Sequence, residues 1–182
     1  MSQANYSGVN QSLHQQMVEH FMLQAGQQVP SVPTTPDVDT RTLRAKLMFE
    51  ELMETLDGLG VRLQVSAKDG DVGLSLNDPD GKLGALPNFY FTVYNKQQEE
   101  YPVDMVQVVD GCCDLRVTTT GTLSAVGVKD IPVQLAVDKS NLEKFGPGGY
   151  RRDDGKWMKP PGWKAPDIAA ILQQLGTVPA KI

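Results

Sequence analysis

Leu47-Met-Phe-Glu50-Glu51-Leu-Met-Glu54 sets three carboxylates within five residues, in the middle of a segment with helical spacing. At about 100° per residue, Glu50, Glu51 and Glu54 share one arc about 100° wide, and Ala45, Met48, Leu52, Leu56 and Leu59 fall roughly opposite. The periodicity predicts an amphipathic helix with an acidic face and a packing face. Leu43 and Leu47 lie inside the acidic arc. A solvated acidic face and one half of a divalent-metal site both fit this stretch. A second acidic cluster elsewhere in the chain is what separates them.

Upstream, residues 1–8 are small and polar and are expected to fray. Asn10 to Gly26 carries Leu13, Met17, Phe21, Leu23 and Ala25 at spacings that predict a first amphipathic helix, stopped by Gly26. His14 and His20 lie on it and read as surface or packing residues. Gln27 to Asp39 holds Pro30, Pro33 and Pro36 and reads as an extended linker, because proline fixes φ and removes a donor. Asp39-Thr40 is the expected cap of the second helix, which runs to about Leu59 and ends at Gly58 and Gly60.

Downstream the period changes to two. Val61, Leu63 and Val65 alternate with polar residues, as do Val72, Leu74 and Leu76, and then Phe89, Phe91 and Val93. Lys68-Asp-Gly70 and Asn77-Asp-Pro-Asp-Gly81 punctuate them. This predicts a β insertion of two or three strands over 61–98. Its aromatics Phe89, Tyr90, Phe91 and Tyr94 read as local packing or a subunit contact.

Residues 102–128 admit two readings. Their β-branched content favours strands, with Asp110-Gly111 as a hairpin turn. The alternation such a hairpin needs is poor. As a helix, Gln107, Asp110 and Asp114 share an arc about 60° wide, and Gly111 costs about 1 kcal/mol relative to alanine. Between Met105 and Val128 the charged residues are Asp110, Asp114 and Arg116. A helix so apolar is expected to be buried, and burying two carboxylates requires compensation. On the helical wheel Arg116 points about 200° away from Asp114. Two antiparallel helices bearing Glu50, Glu51 and Glu54 on one and Asp110 and Asp114 on the other would gather five hard oxygen donors, which suit Mg²⁺ or Mn²⁺ and not a structural zinc site. The competing reading is a pair of core aspartates bonded to the hydroxyls of Thr118 to Thr120.

The last third supplies positive charge. Asp130 to Leu142 reads as a helix. Residues 143–163 form a Gly- and Pro-rich basic stretch, and Ala165 to Gly176 a short final helix. Lys139, Lys144, Arg151, Arg152, Lys156 and Lys159 fall in this region, a composition suited to a polyphosphate. A solvated basic loop is the competing reading.

The whole chain has 182 residues and a net charge of −5. That length suits one domain, 1–182. The acidic balance argues against nucleic acid as the main partner, whereas a small anion remains compatible if a metal neutralises it. The adjacent Cys112 and Cys113 make no disulfide framework, which fits a reducing intracellular setting. No signal peptide is evident, and no apolar run approaches the ~18 residues that span a bilayer.

Several of these residues together resemble a known family. Asn141-Leu-Glu-Lys144, Gly146-Pro147, Arg151-Arg-Asp-Asp-Gly155-Lys156, Lys159-Pro-Pro-Gly-Trp163 and Pro166-Asp167 look like the tail of MazG-like all-α nucleotide pyrophosphohydrolases, in the phosphoribosyl-ATP-pyrophosphohydrolase-like branch of phages and bacteria. Phe21 to Gly26, the proline linker and Leu43-Arg-x-Lys-x-x-x-Glu50-Glu51-x-x-Glu54 resemble its first half. The resemblance runs from about Phe21 to Asp167, apart from the β insertion. There are departures: Gln107 stands where the family often has Glu, Met22 and Asp138 stand where it often has His, and the 61–98 insertion is long.

The resemblance implies a mainly α, MazG-like helical bundle with a small β-hairpin insertion, assembled as a homodimer or homotetramer. The implied reaction converts a (deoxy)nucleoside triphosphate, dGTP or GTP by analogy with phage relatives, to monophosphate and pyrophosphate. Two or three Mg²⁺ or Mn²⁺ ions are implied, held by Glu50, Glu51, Glu54, Asp110 and Asp114, with Glu50 or Glu51 handling the attacking water. Lys139, Asn141, Lys144, Arg151, Lys156 and Lys159 are the implied substrate-binding residues, 143–163 the phosphate loop, and the cytoplasm (a host's, if phage-encoded) the setting. Two rivals stand beside it. One is a non-catalytic nucleotide-binding or regulatory protein whose site has decayed at Gln107. The other is a structural protein assembled through the β insertion.

Overall fold

The computed structural model describes residues 10–66, 88–153 and 155–176. Among them the chain is mainly helical, with five α-helices and two small antiparallel two-stranded sheets. The order is α1 (Leu13–Gln24), α2 (Val38–Gly58), β1 (Arg62–Ser66), β2 (Asn88–Thr92), α3 (Met105–Ala125), α4 (Asp130–Leu142), a 3₁₀ turn (Glu143–Phe145), β3 (Tyr150–Arg151), β4 (Trp157–Met158) and α5 (Ile168–Leu175). The expected fraying of 1–8 and the expected strand at Val72, Leu74 and Leu76, with its flanking turns, fall outside the described residues.

Within residues 102–128 the helix α3 spans Met105–Ala125, so Asp110-Gly111 is not a turn. The chain divides into two compact units, 1–45 with 117–182, and 46–116.

In the first unit, Ser12 caps α1 by accepting from the Gln15 amide at 3.0 Å. Gln15 is fully buried and organises the unit. Its amide nitrogen donates to Ser124 Oγ (3.0 Å) and the Val128 carbonyl (2.8 Å), and its Oε1 accepts from the Asp130 amide (2.9 Å). The first backbone N–H of α4, orphaned by helix geometry, thus finds its acceptor on α1. Asp130 returns the tie, accepting from the backbone N–H and hydroxyl of Ser12. Lys129 and Glu19 close the same edge at 3.0 Å. Beneath lies a small apolar core of Val18, Met22 and Ala125, with Val29 and Val117 packed against it. The proline linker lies over the C-terminal end of α3: Thr34 N–H donates to the Val126 carbonyl at 3.0 Å. Gly127, at φ +71°, adopts a backbone that L residues resist, and a side chain there would overlap the Val32 carbonyl.

The second helix begins two residues earlier than expected. Asp37, not Asp39-Thr40, is its cap, accepting from Thr40 N–H at 2.7 Å. That bond holds the Asp37 carboxyl below the usual carboxylate range.

The basic stretch is not a plain loop. Tyr150 pairs with Met158 and Arg151 with Trp157 in a short hairpin, turning at Gly155 with φ +86°. Phe145 meets the Trp157 ring at 4.9 Å, Lys159 lies 3.5 Å from the Trp163 ring centre, and the Trp163 indole donates to the Ser140 carbonyl at 3.2 Å.

In the second unit, β1 and β2 pair antiparallel with Arg62 opposite Thr92 and Ser66 opposite Asn88. The insertion continues past residue 98, through a Tyr94–Glu100 bridge and a Tyr101-to-Val93 backbone bond. Its root is fixed by Arg62, which pairs with Asp57 at 2.5 Å and lies 4.5 Å from the centre of the Tyr101 ring. Phe91 and Tyr94 are exposed in the single chain.

Candidate metal centre

The candidate centre lies wholly within the second unit, on the facing stretches of α2 and α3. Small residues bring the two helices close. A Cβ at Gly111 would stand 2.6 Å from Thr55 Oγ1 and 3.2 Å from its Cα, and one at Gly58 would stand 2.9 Å from the Val108 nitrogen. Thr55 opposes Gly111 while Gly58 opposes Gln107 and Val108, so the helices run antiparallel. Asp104 starts α3 by accepting from the Val106 and Gln107 amides, and its own N–H donates to the Gly58 carbonyl at 2.8 Å.

This contact sets the acidic residues side by side. Glu51 is one turn before Thr55, and Asp114 is just under one turn after Gly111. With antiparallel helices in contact at Thr55 and Gly111, those offsets lead to the same level. The electrostatics agree. Glu51 is half-buried, and its carboxyl is pushed above the usual range first by that burial and then by the negative charges of Asp114, Glu54, Glu50 and Asp110, in that order. The other four carboxylates named from the sequence, two of them on α3, therefore all act on Glu51.

Other expectations change. The stripe of α2 turned toward α3 is Glu51, Thr55 and Gly58, not Ala45, Met48, Leu52, Leu56 and Leu59. Ala45, Leu52 and Leu59 are exposed in the single chain, as is Phe49. The first half of α3 is not buried either: Asp110 and Asp114 are exposed, and so are Met105, Val106 and Val109. Burial alone thus does not demand a counter-ion for the two aspartates, and the argument for one moves to the repulsion focused on Glu51. Cys112 and Cys113 are free and exposed.

Gln107 has a different occupation from a lost ligand. Its carboxamide nitrogen donates to the Glu54 carbonyl at 3.3 Å and lies 3.5 Å from an Asp57 carboxylate oxygen. It ties α3 to the end of α2.

The donor set is all hard oxygen, which fits Mg²⁺ or Mn²⁺. Clustered like charge of this kind is what a divalent cation relieves. Among the described residues, however, no group of three or more Asp, Glu, His or Cys side chains closes on one common point. The carboxylates share a field without yet sharing a coordination sphere.

The basic residues lie in the first unit, where Lys144 Nζ donates to Asn141 Oδ1 at 2.8 Å, one turn back on the helix end. Arg151 Nε donates to the Gly155 carbonyl at 3.2 Å and so braces the hairpin turn. Lys139 lies in the last turn of α4, and Lys156 and Lys159 flank β4. Sequence reasoning gave no packing role to Trp157 and Trp163, the rings that order this stretch.

No protein-family model matches the chain, and no curated protein matches it. Among the described residues no helix is long and apolar enough to cross a membrane.

Proposed function

We propose that the chain is a metal-dependent nucleoside triphosphate pyrophosphohydrolase of MazG-like helical architecture, acting best on dGTP or GTP and releasing the monophosphate and pyrophosphate. The observation that carries this reading is the antiparallel contact at Thr55–Gly111, which brings Asp110 and Asp114 of α3 to the stretch of α2 that bears Glu50, Glu51 and Glu54. A solvated acidic face gives no reason for a second helix to bring its two aspartates to the first.

Glu50, Glu51, Glu54, Asp110 and Asp114 are the residues that would hold two or three Mg²⁺ or Mn²⁺ ions, which when bound neutralise phosphate charge and acidify water. Of the Glu50–Glu51 pair, Glu51 is assigned the proton of the attacking water because it lies on the stripe of α2 that meets α3, one turn before Thr55. Its role is to take the proton of the water that attacks the α-phosphate, while Glu50 orients that water. Lys139, Asn141, Lys144, Arg151, Lys156 and Lys159 are assigned to the leaving pyrophosphate through charge-assisted bonds. Gln107 is a helix tie and is left out of the ligand set.

The exposed apolar positions Phe49, Leu52 and Leu59 on α2 and Met105, Val106 and Val109 on α3 support a homodimer or homotetramer, in which a second helical pair covers them. The setting proposed is the cytoplasm, a host's if the gene is phage-borne.

A second reading is a nucleotide-binding protein without catalysis. It is favoured by the absence of a closed ligand group among the described residues. Incubation with each common NTP and dNTP plus Mn²⁺, followed by product identification, separates the two. The hydrolase yields monophosphate and pyrophosphate, and the binding protein returns the substrate intact.

A further inference from the structure

Arg44, in the first unit, is a buried cation. Its residue is only 7% exposed. Among the described residues it pairs with no carboxylate. Nη2 donates to the neutral carboxamide oxygen of Gln27, and Nε is buried and, among the described residues, donates to nothing. A Cβ at Gly121 would lie 2.7 Å from Arg44 Nη1 and 3.5 Å from both Met22 Sδ and Val18 Cγ1. The guanidinium is therefore seated against the α3 backbone, beside the core cluster, at a place that glycine keeps open.

A buried, uncompensated guanidinium is costly, and proteins ordinarily pair it. Gln27, half-buried at the start of the proline linker, is the acceptor that an incoming anion would have to displace. A guanidinium presents a planar fork that matches two oxygens of one oxyanion. We propose that Arg44 is an oxyanion-binding site, in which a phosphate or carboxylate group displaces the Gln27 carboxamide and takes the Nε and Nη2 donors together. The site is independent of the proposed hydrolysis, since it uses none of the five acidic residues.

The test is thermal unfolding of the full chain at fixed ionic strength, with sodium chloride replaced stepwise by phosphate in one arm and acetate in the other. A ligand that binds only the folded state raises the midpoint with the logarithm of its concentration. The expected result is such a rise in at least one arm, and the responding arm identifies the anion. Arg44→Met should abolish that rise and, in chloride alone, melt at or above the wild-type temperature, because an unpaired charge has been removed. No rise in either arm, or a full rise retained in Arg44→Met, overturns the proposal. If Arg44→Met does not fold, Gln27→Ala decides: removing the competing acceptor should lower the anion concentration needed for half the effect, and an unchanged or higher concentration overturns it.

Discussion

Gly111 of α3 lies against Thr55 of α2 so closely that a single added carbon would stand 2.6 Å from the threonine hydroxyl. That hydroxyl is not a free rotor, because Thr55 is buried and donates to the Glu51 carbonyl at 2.7 Å. The same contact levels Glu51 with Asp114. Gly111→Ala sets two effects against each other. Alanine gains about 1 kcal/mol of helix propensity, and overpacking costs about 1–3 kcal/mol. The backbone atoms of Thr55, 3.2 Å from the new carbon, cannot rotate away, so the steric term wins. We expect a lower melting temperature and loss of (d)NTP hydrolysis in this variant. Unchanged stability would show that the helices approach less closely.

Glu51 gives a pH signature in chelator-treated protein. Its folded pKa is raised above the ordinary 4.5, so the folded state holds this proton more tightly than the unfolded chain. The sign follows from linkage: the neutral form's advantage is complete below about 4.5 and is lost as pH rises through the folded value. Glu51→Gln should therefore match wild type at low pH and become the more stable protein as pH rises toward neutrality. Its turnover should fall by about 10²–10⁴-fold, the range for loss of a general base. A glutamine variant less stable than wild type at neutral pH contradicts the clustering.

Gln107 separates a decayed ligand from a helix tie. Restoring an acid with Gln107→Glu removes the donor to the Glu54 carbonyl and sets a carboxylate beside Asp57. We expect reduced stability and no gain in Mn²⁺ affinity by calorimetry. A stronger metal response in this variant would instead mark the position as a lost ligand.

Much of the candidate site was legible in the sequence, and the physical reasons for the rest are specific. Helical spacing sufficed to join Glu50, Glu51 and Glu54, and also Asp110 and Asp114. It also favoured helix over hairpin across 102–128, where strand alternation was lacking. The role of Gly111 was not legible. In sequence it is only a propensity penalty, whereas in space it is the condition for helix contact. Periodicity likewise gives the angle between two faces of α2 but not which face finds a neighbour within the chain. Thr55 and Gly58 decide that, by being small. The burial of Arg44 was not legible either, because arginine is seldom fully buried and its neighbours in sequence do not show what covers it.

Exposed Phe49, Leu52, Leu59, Met105, Val106 and Val109 predict self-association. Sedimentation at micromolar concentration should show a dimer or tetramer, and Val109→Asp should shift it toward monomer. A wild-type monomer under these conditions rules out the proposed assembly.

The most direct measurement of the central claim is pyrophosphate release from dGTP by the purified chain with Mn²⁺, with excess chelator, and in the Asp114→Ala variant. The account predicts equimolar dGMP and pyrophosphate with metal, and none with chelator or in a variant that stays folded by circular dichroism. Release that persists in chelator, or near-normal turnover in Asp114→Ala, would contradict it.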